Sequence, residues 1–217
     1  MPEGWSELTT VVKKNRLKVT TSFTRNSETL FHNTTLYLDS HMSYANERKQ
    51  NRIPVEIASG QKVTFSPGEH SQLIKAIIEE FASRFAPESV LVYANDTGDN
   101  CSYFDSSLLS KLDVDIGSHG KMPDVVLHYT AKNWLLLVEA VTSQGPINEM
   151  RHEELAKLFK GSSAGLVYVT AFPDRSLMSR YLGDIAWKTE VWVADSPSHL
   201  IHFNGTRFLG PYSEPEN

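Results

Sequence analysis

The 217-residue chain has a single cysteine, Cys101, so it cannot build an internal disulfide framework, and the small secreted scaffolds that depend on one are excluded. No apolar run approaches the ~18 residues a bilayer demands, and no charged-plus-apolar leader opens the sequence. These absences together lead us to expect a reducing, cytoplasmic setting without membrane contact. A Gly-rich phosphate-binding signature is also lacking, which argues against an ATP site. His199 and His202 stand three apart without a companion Cys or His pair, too little for zinc. The stretch NDTGDN is rich in oxygen donors but lacks the length and spacing of a calcium loop, so it reads as a turn. Cys101 has no triad-like neighbours. Asn-X-Thr triplets at Asn33 and Asn204 are read as chance matches without a secretory leader. There is no internal repeat and no low-complexity tract.

What is present is an ordinary globular composition, 40% hydrophobic and 22% charged, with a formal net charge of −5. That balance argues mildly against a non-specific nucleic-acid coat protein. The charge is unevenly spread. Residues 1–66 carry 9 Lys+Arg against 6 Asp+Glu, leaving 12 against 20 for the remainder. A basic front segment on an acidic body is compatible with an arm that touches phosphates, and equally with an unremarkable solvated surface.

Residues 17–24 and 28–38, rich in Thr, Val, Phe and Tyr, read as strands of a small N-terminal sheet, and 39–66 as polar and poorly periodic. A helix is expected across SPGEHSQLIKAIIEEFASRFAP, with Ser66 as N-cap, Pro67 in the first turn and Pro87 as the stop. Strands at 90–94, 124–129, 133–142, 165–171 and 190–194 then alternate with helices near 106–112, 148–160 and 174–186. LIHFNG and FLGPY suggest edge strands, and 213–217 a frayed tail. The alternation predicts an α/β fold, a mixed β-sheet flanked by helices, with residues 1–65 as a small N-terminal β appendage.

One residue disturbs this pattern. Glu139 lies inside the apolar run NWLLLVEAV, on the strand face of Leu135, Leu137 and Val141. Isolated burial of a carboxylate is unfavourable by several kcal/mol on the order expected for an unpaired ion, so a cation, metal or proton is its expected partner. Asp124 opens the preceding strand, and if the two strands pair through the turn TAK the acids approach one another. Two carboxylates so placed repel unless a divalent cation shares them; the bland alternative is a solvated acid at each strand end. On the long helix, at 100° per residue, Leu73, Ile74, Ile77, Ile78, Phe81 and Phe85 form an apolar arc with Glu80 at its flank and Glu79 nearly opposite. Arg151 and His152 share an arc with Leu155 and Phe159, so a cation and an imidazole are expected to point toward the sheet.

In order, PDVVL, NWLLLVEAVTSQGPI, RHEEL, GLVYVTAFPDR, DIAWKTEVWVAD and HFNGTRFLGPY resemble the catalytic domain of the BsuBI/PstI family of type II restriction endonucleases. The likeness extends over SPGEHSQLIKAIIEEFASRFAP and YANDTGDN and so spans roughly residues 66–212. That family belongs to the PD-(D/E)XK nucleases, so the resemblance implies a mixed sheet flanked by helices and Mg²⁺-dependent cutting of double-stranded DNA. Position by position it makes Pro123 and Asp124 the PD element, Asp124 and Glu139 the metal ligands, and Glu80 the acid of the preceding helix. A homodimer on a palindromic site and a cognate DNA methyltransferase are implied as partners.

Two departures stand out. The superfamily pattern has Lys two residues after the second acid, where this chain has Val141; Lys121 and Arg151 are the candidates to supply that charge, with Arg151 first because it starts a helix on the cleft-facing arc. Residues 1–65 match nothing in the longer family enzymes, and we expect a DNA arm or dimer contact there. Alternatives are a catalytically inactive nuclease fold retained for DNA binding or assembly, and a defence nuclease that does not read a palindrome.

Overall fold

A strand covered on both faces has no need of polar alternation, and WLLLV is such a strand. The computed structural model describes residues 52–57, 60, 62–95, 103–115 and 121–203; the strands expected at 17–24 and 28–38, the NDTGDN turn beyond Asn95, Cys101, and everything past Phe203 lie outside them. The chain divides into two units between Gln50 and Asn51, and all that follows concerns the second.

A hairpin comes first, strand β1 (Ile53–Glu56) antiparallel to β2 (Lys62–Phe65). It falls in the stretch read as poorly periodic, because four-residue strands separated by a polar loop leave almost no period to detect. Ile53, Val55 and Phe65 are buried with Leu73, Ile74, Ile77 and Phe81 of the long helix. Hairpin and helix share one core, and we therefore place the boundary at 50/51 instead of 65/66.

That helix, α1, runs through Glu69–Ala76, a π-helical turn Ile77–Phe81 and Ala82–Phe85. It starts later than Ser66 and Pro67 suggest: Gly68, at φ 153°, occupies the cap position, a backbone conformation open to glycine.

The main sheet has the order β4-β3-β5-β6-β7-β8-β9, built from β3 (Val90–Ala94), β4 (Tyr103–Phe104), β5 (Val125–Tyr129), β6 (Trp134–Ala140), β7 (Gly165–Phe172), β8 (Thr189–Val193) and β9 (Leu200–Phe203). β6, β7 and β8 are parallel and the other pairs antiparallel, so the sheet is mixed as expected. Three further α-helices lie among the described residues, α2 (Ser106–Lys111), α3 (Glu149–Leu158) and α4 (Arg175–Tyr181).

Period-two alternation along β6 sends its side chains into two cores. Leu136, Val138 and Ala140 join the core under α1, while Leu135 and Leu137 pack with Leu109, Leu155 and Phe159 under α2 and α3. Each of the larger of these side chains, fully buried, contributes about 1.5–3 kcal/mol. A third apolar group, under α4, gathers Val141, Phe172, Met178, Ile185, Val191 and Val193.

Candidate active site

The hairpin β5–β6 decides the geometry. Thr130–Lys132 form a single 3₁₀ turn and Asn133 adopts the left-handed conformation that closes it. The resulting register pairs Val125 with Val138, so Asp124, one residue before β5, stands level with Glu139. The expectation that the hairpin brings these two acids together is met. Asp124 also extends the ladder with its side chain: the Ala140 N–H donates to Asp124 Oδ2 at 2.8 Å, and the Asn95 N–H donates to the Asp124 carbonyl at 2.8 Å.

Glu139 is held from the opposite face. Asn148 caps α3 by accepting the Arg151 N–H at 2.8 Å, and the first turn of that helix aims the Arg151 side chain inward. Its Nε and Nη2 both lie 2.7 Å from Glu139 Oε1. Nη2 also donates to the Met122 carbonyl at 3.1 Å, and Nη1 reaches Glu154 at 3.1 Å. Burial and the charge of Asp124 nonetheless raise the Glu139 carboxyl to about 7, against the Arg151 guanidinium, which pulls the other way. Two carboxylates are therefore crowded together in a setting that one guanidinium does not neutralise.

These groups open into a cleft of about 500 Å³ lined by His70, Tyr93, Asn95, Lys121, Met122, Asp124, Glu139, Ala140 and the run Thr142–Gly145. His70 projects from the first turn of α1, its Nε2 3.6 Å from Asp124 Oδ1. Lys121 Nζ lies 3.4 Å from Gln144 Oε1 across the cleft. Oxygen donors from two elements facing a polar cleft suit a hard divalent cation that keeps several waters, so the residues present fit such an ion.

Three expectations need correcting. Glu80 does not reach the cleft: it is half exposed and ion-paired to Arg84 at 2.7 Å. Glu79 is exposed, as expected, and from that position it accepts the Glu56 N–H at 3.3 Å and pairs with Lys75 at 3.3 Å. Glu80 sits beside the buried residues of the π-helical turn, Ile77, Ile78 and Phe81, and faces outward to Arg84 instead of the cleft. Val141 does not share the cleft with Glu139. The Val141 N–H continues the ladder to the Ala171 carbonyl at 2.8 Å, and its side chain packs with Phe172 and the apolar group under α4, 1% exposed. Arg151 lies behind Glu139 and is absent from the cleft wall, whereas Lys121 is part of it. His152, its neighbour, packs against the Tyr168 ring with centroids 4.1 Å apart.

Sequence reasoning passed over His70 and Gln144. The signal for His70 was the Pro67–Gly68 pair, which points the start of α1 at the sheet edge; Gln144 carried none beyond its closeness to Glu139.

The chain is 68% identical over 169 residues to the type II restriction enzyme BsuBI of Bacillus subtilis, an alignment covering 78% of this chain and 54% of that enzyme. It is 34% identical over 173 residues to the type II restriction enzyme AplI of Arthrospira platensis, covering 76% and 53%. The solved structure of the SdaI restriction endonuclease superposes with a TM-score of 0.72 at 42% identity, over 80% of this chain and 55% of that one. The chain thus spans about half the length of the curated relatives it matches. Residues 53–206 match the BsuBI/PstI restriction endonuclease domain, and the chain belongs to that family.

Proposed function

We propose that this chain is a Mg²⁺-dependent DNA endonuclease of the type II restriction kind, hydrolysing phosphodiester bonds at a specific, palindromic site in double-stranded DNA. The observation that carries the reading is the register of β5 against β6, which sets Asp124 beside Glu139 at the mouth of a polar cleft. Names of the relatives support the substrate class. Asp124 and Glu139 are the residues that would hold the ion, which would supply positive charge near the scissile phosphate and lower the pKa of an attacking water. Asp124 keeps one oxygen fixed on the Ala140 amide, so its carboxylate stands oriented in advance. Lys121, in the cleft wall, is the cation placed to meet the phosphate in the role that Val141 cannot fill. A two-fold dimer supplies one such centre per strand, and a methyltransferase recognising the same site protects host DNA.

Incubating plasmid DNA with the protein and Mg²⁺ tests the proposal. Discrete fragments are expected, with loss of cleavage but retained DNA binding in Asp124→Ala and Glu139→Ala, because phosphate contacts elsewhere dominate affinity. Lys121→Ala should slow cutting by about 10²-fold or more. Cleavage that survives both acid substitutions defeats the reading, and a smear in place of bands removes site specificity.

A further inference from the structure

We propose that Arg151 is a positioning residue, fixing Glu139 and the Lys121–Asp124 segment relative to one another without touching DNA. The proposal rests on the metal-binding reading above. Three things carry it. Arg151 is only 11% exposed and does not line the cleft that Asp124 and Glu139 share, so its guanidinium is turned away from the place a phosphate would occupy. Its planar fork holds two elements at once: Nε and Nη2 bind the same oxygen of Glu139, on β6, while Nη2 also takes the carbonyl of Met122, the residue between Lys121 and the PD element. Its own backbone is fixed by the Asn148 cap, and its remaining nitrogen by Glu154.

An arginine so placed leaves Glu139 one rotamer in which to present its other oxygen to an ion shared with Asp124. A lysine keeps the charge but cannot span both partners, because an ammonium is a point donor on a flexible stem. Charge and geometry therefore predict opposite signs. Removing a cation next to Glu139 ought, by Coulomb's law alone, to tighten binding of a divalent ion. Removing a group that orients a ligand weakens it, by about 10–100-fold for hydrogen-bonding partners of metal ligands.

Mn²⁺ binding to the full chain, followed by titration calorimetry without DNA, separates the two. Arg151→Gln and Arg151→Lys are both expected to weaken Mn²⁺ binding by about tenfold or more, with circular dichroism confirming folded protein, and neither should change the salt dependence of duplex binding. Wild-type affinity in Arg151→Lys with tighter binding in Arg151→Gln makes the residue a mere charge and overturns the proposal. So does unchanged Mn²⁺ affinity in Arg151→Gln with a salt slope lowered by about one, the mark of a lost phosphate contact. If Arg151→Gln does not fold, Arg151→Lys alone carries the comparison. Asp124→Asn is the control for the underlying reading: Mn²⁺ bound as tightly as in the wild type shows that the ion is not held at this site, and both ideas then fall.

Discussion

Between about pH 4.5 and 7 the folded, metal-free protein keeps a proton on Glu139 that the unfolded chain has released. A carboxyl whose folded-state value is raised contributes stability that is fully present below the unfolded value and is lost as pH rises through the folded one. Urea unfolding in EDTA should therefore show the protein losing stability from pH 5 to pH 8, on the order of 1–3 kcal/mol for this group. Glu139→Gln should remove that part of the slope, and an identical slope in the variant would show that the proton resides elsewhere. At this scale the sequence was informative about charge and poor about direction. The anomaly of an acid in an apolar run led to Glu139, and helical periodicity led to Arg151. Neither could reveal that Val141 is covered by the apolar group under α4, because that contact is made by a helix more than thirty residues further along the chain.

Among the elements, the β5–β6 hairpin bears most on the site, and its closing residue is Asn133. Its backbone is left-handed, its Nδ2 donates to the Ser163 carbonyl at 3.1 Å, and its Oδ1 lies 3.2 Å from His128 Nε2. Asn133→Ala should cost about 1–3 kcal/mol through lost hydrogen bonds and the unfavourable φ. Asn133→Gly, which relieves the backbone, should cost less. Denaturant midpoints check the order, and equal losses would mean that the φ carries no weight. Strands and helices of this half were legible because each has enough residues for its period to show. The short β1 and β2 were not, and a helical wheel could set Glu80 at the flank of the apolar arc without showing what faces that flank; Glu80 pairs with Arg84, and His70 lines the cleft instead.

For the whole molecule, palindromic cutting requires two centres related by a two-fold axis. Sedimentation of the protein should give twice the 24.4 kDa chain mass, alone or on cognate duplex DNA; a single chain per duplex in both conditions would exclude a paired mechanism. Family membership was readable because several long stretches keep their order and spacing along the chain, a property of the full sequence that no single motif conveys. The hydrogen bond from the Ala140 amide to Asp124 has a consequence on this scale. The last rung of the central sheet is closed by a side chain, and that side chain belongs to the site. Fraying of this sheet end therefore dismantles the site, and an ion held there, on the function proposed above, would act as a clasp on the central strands.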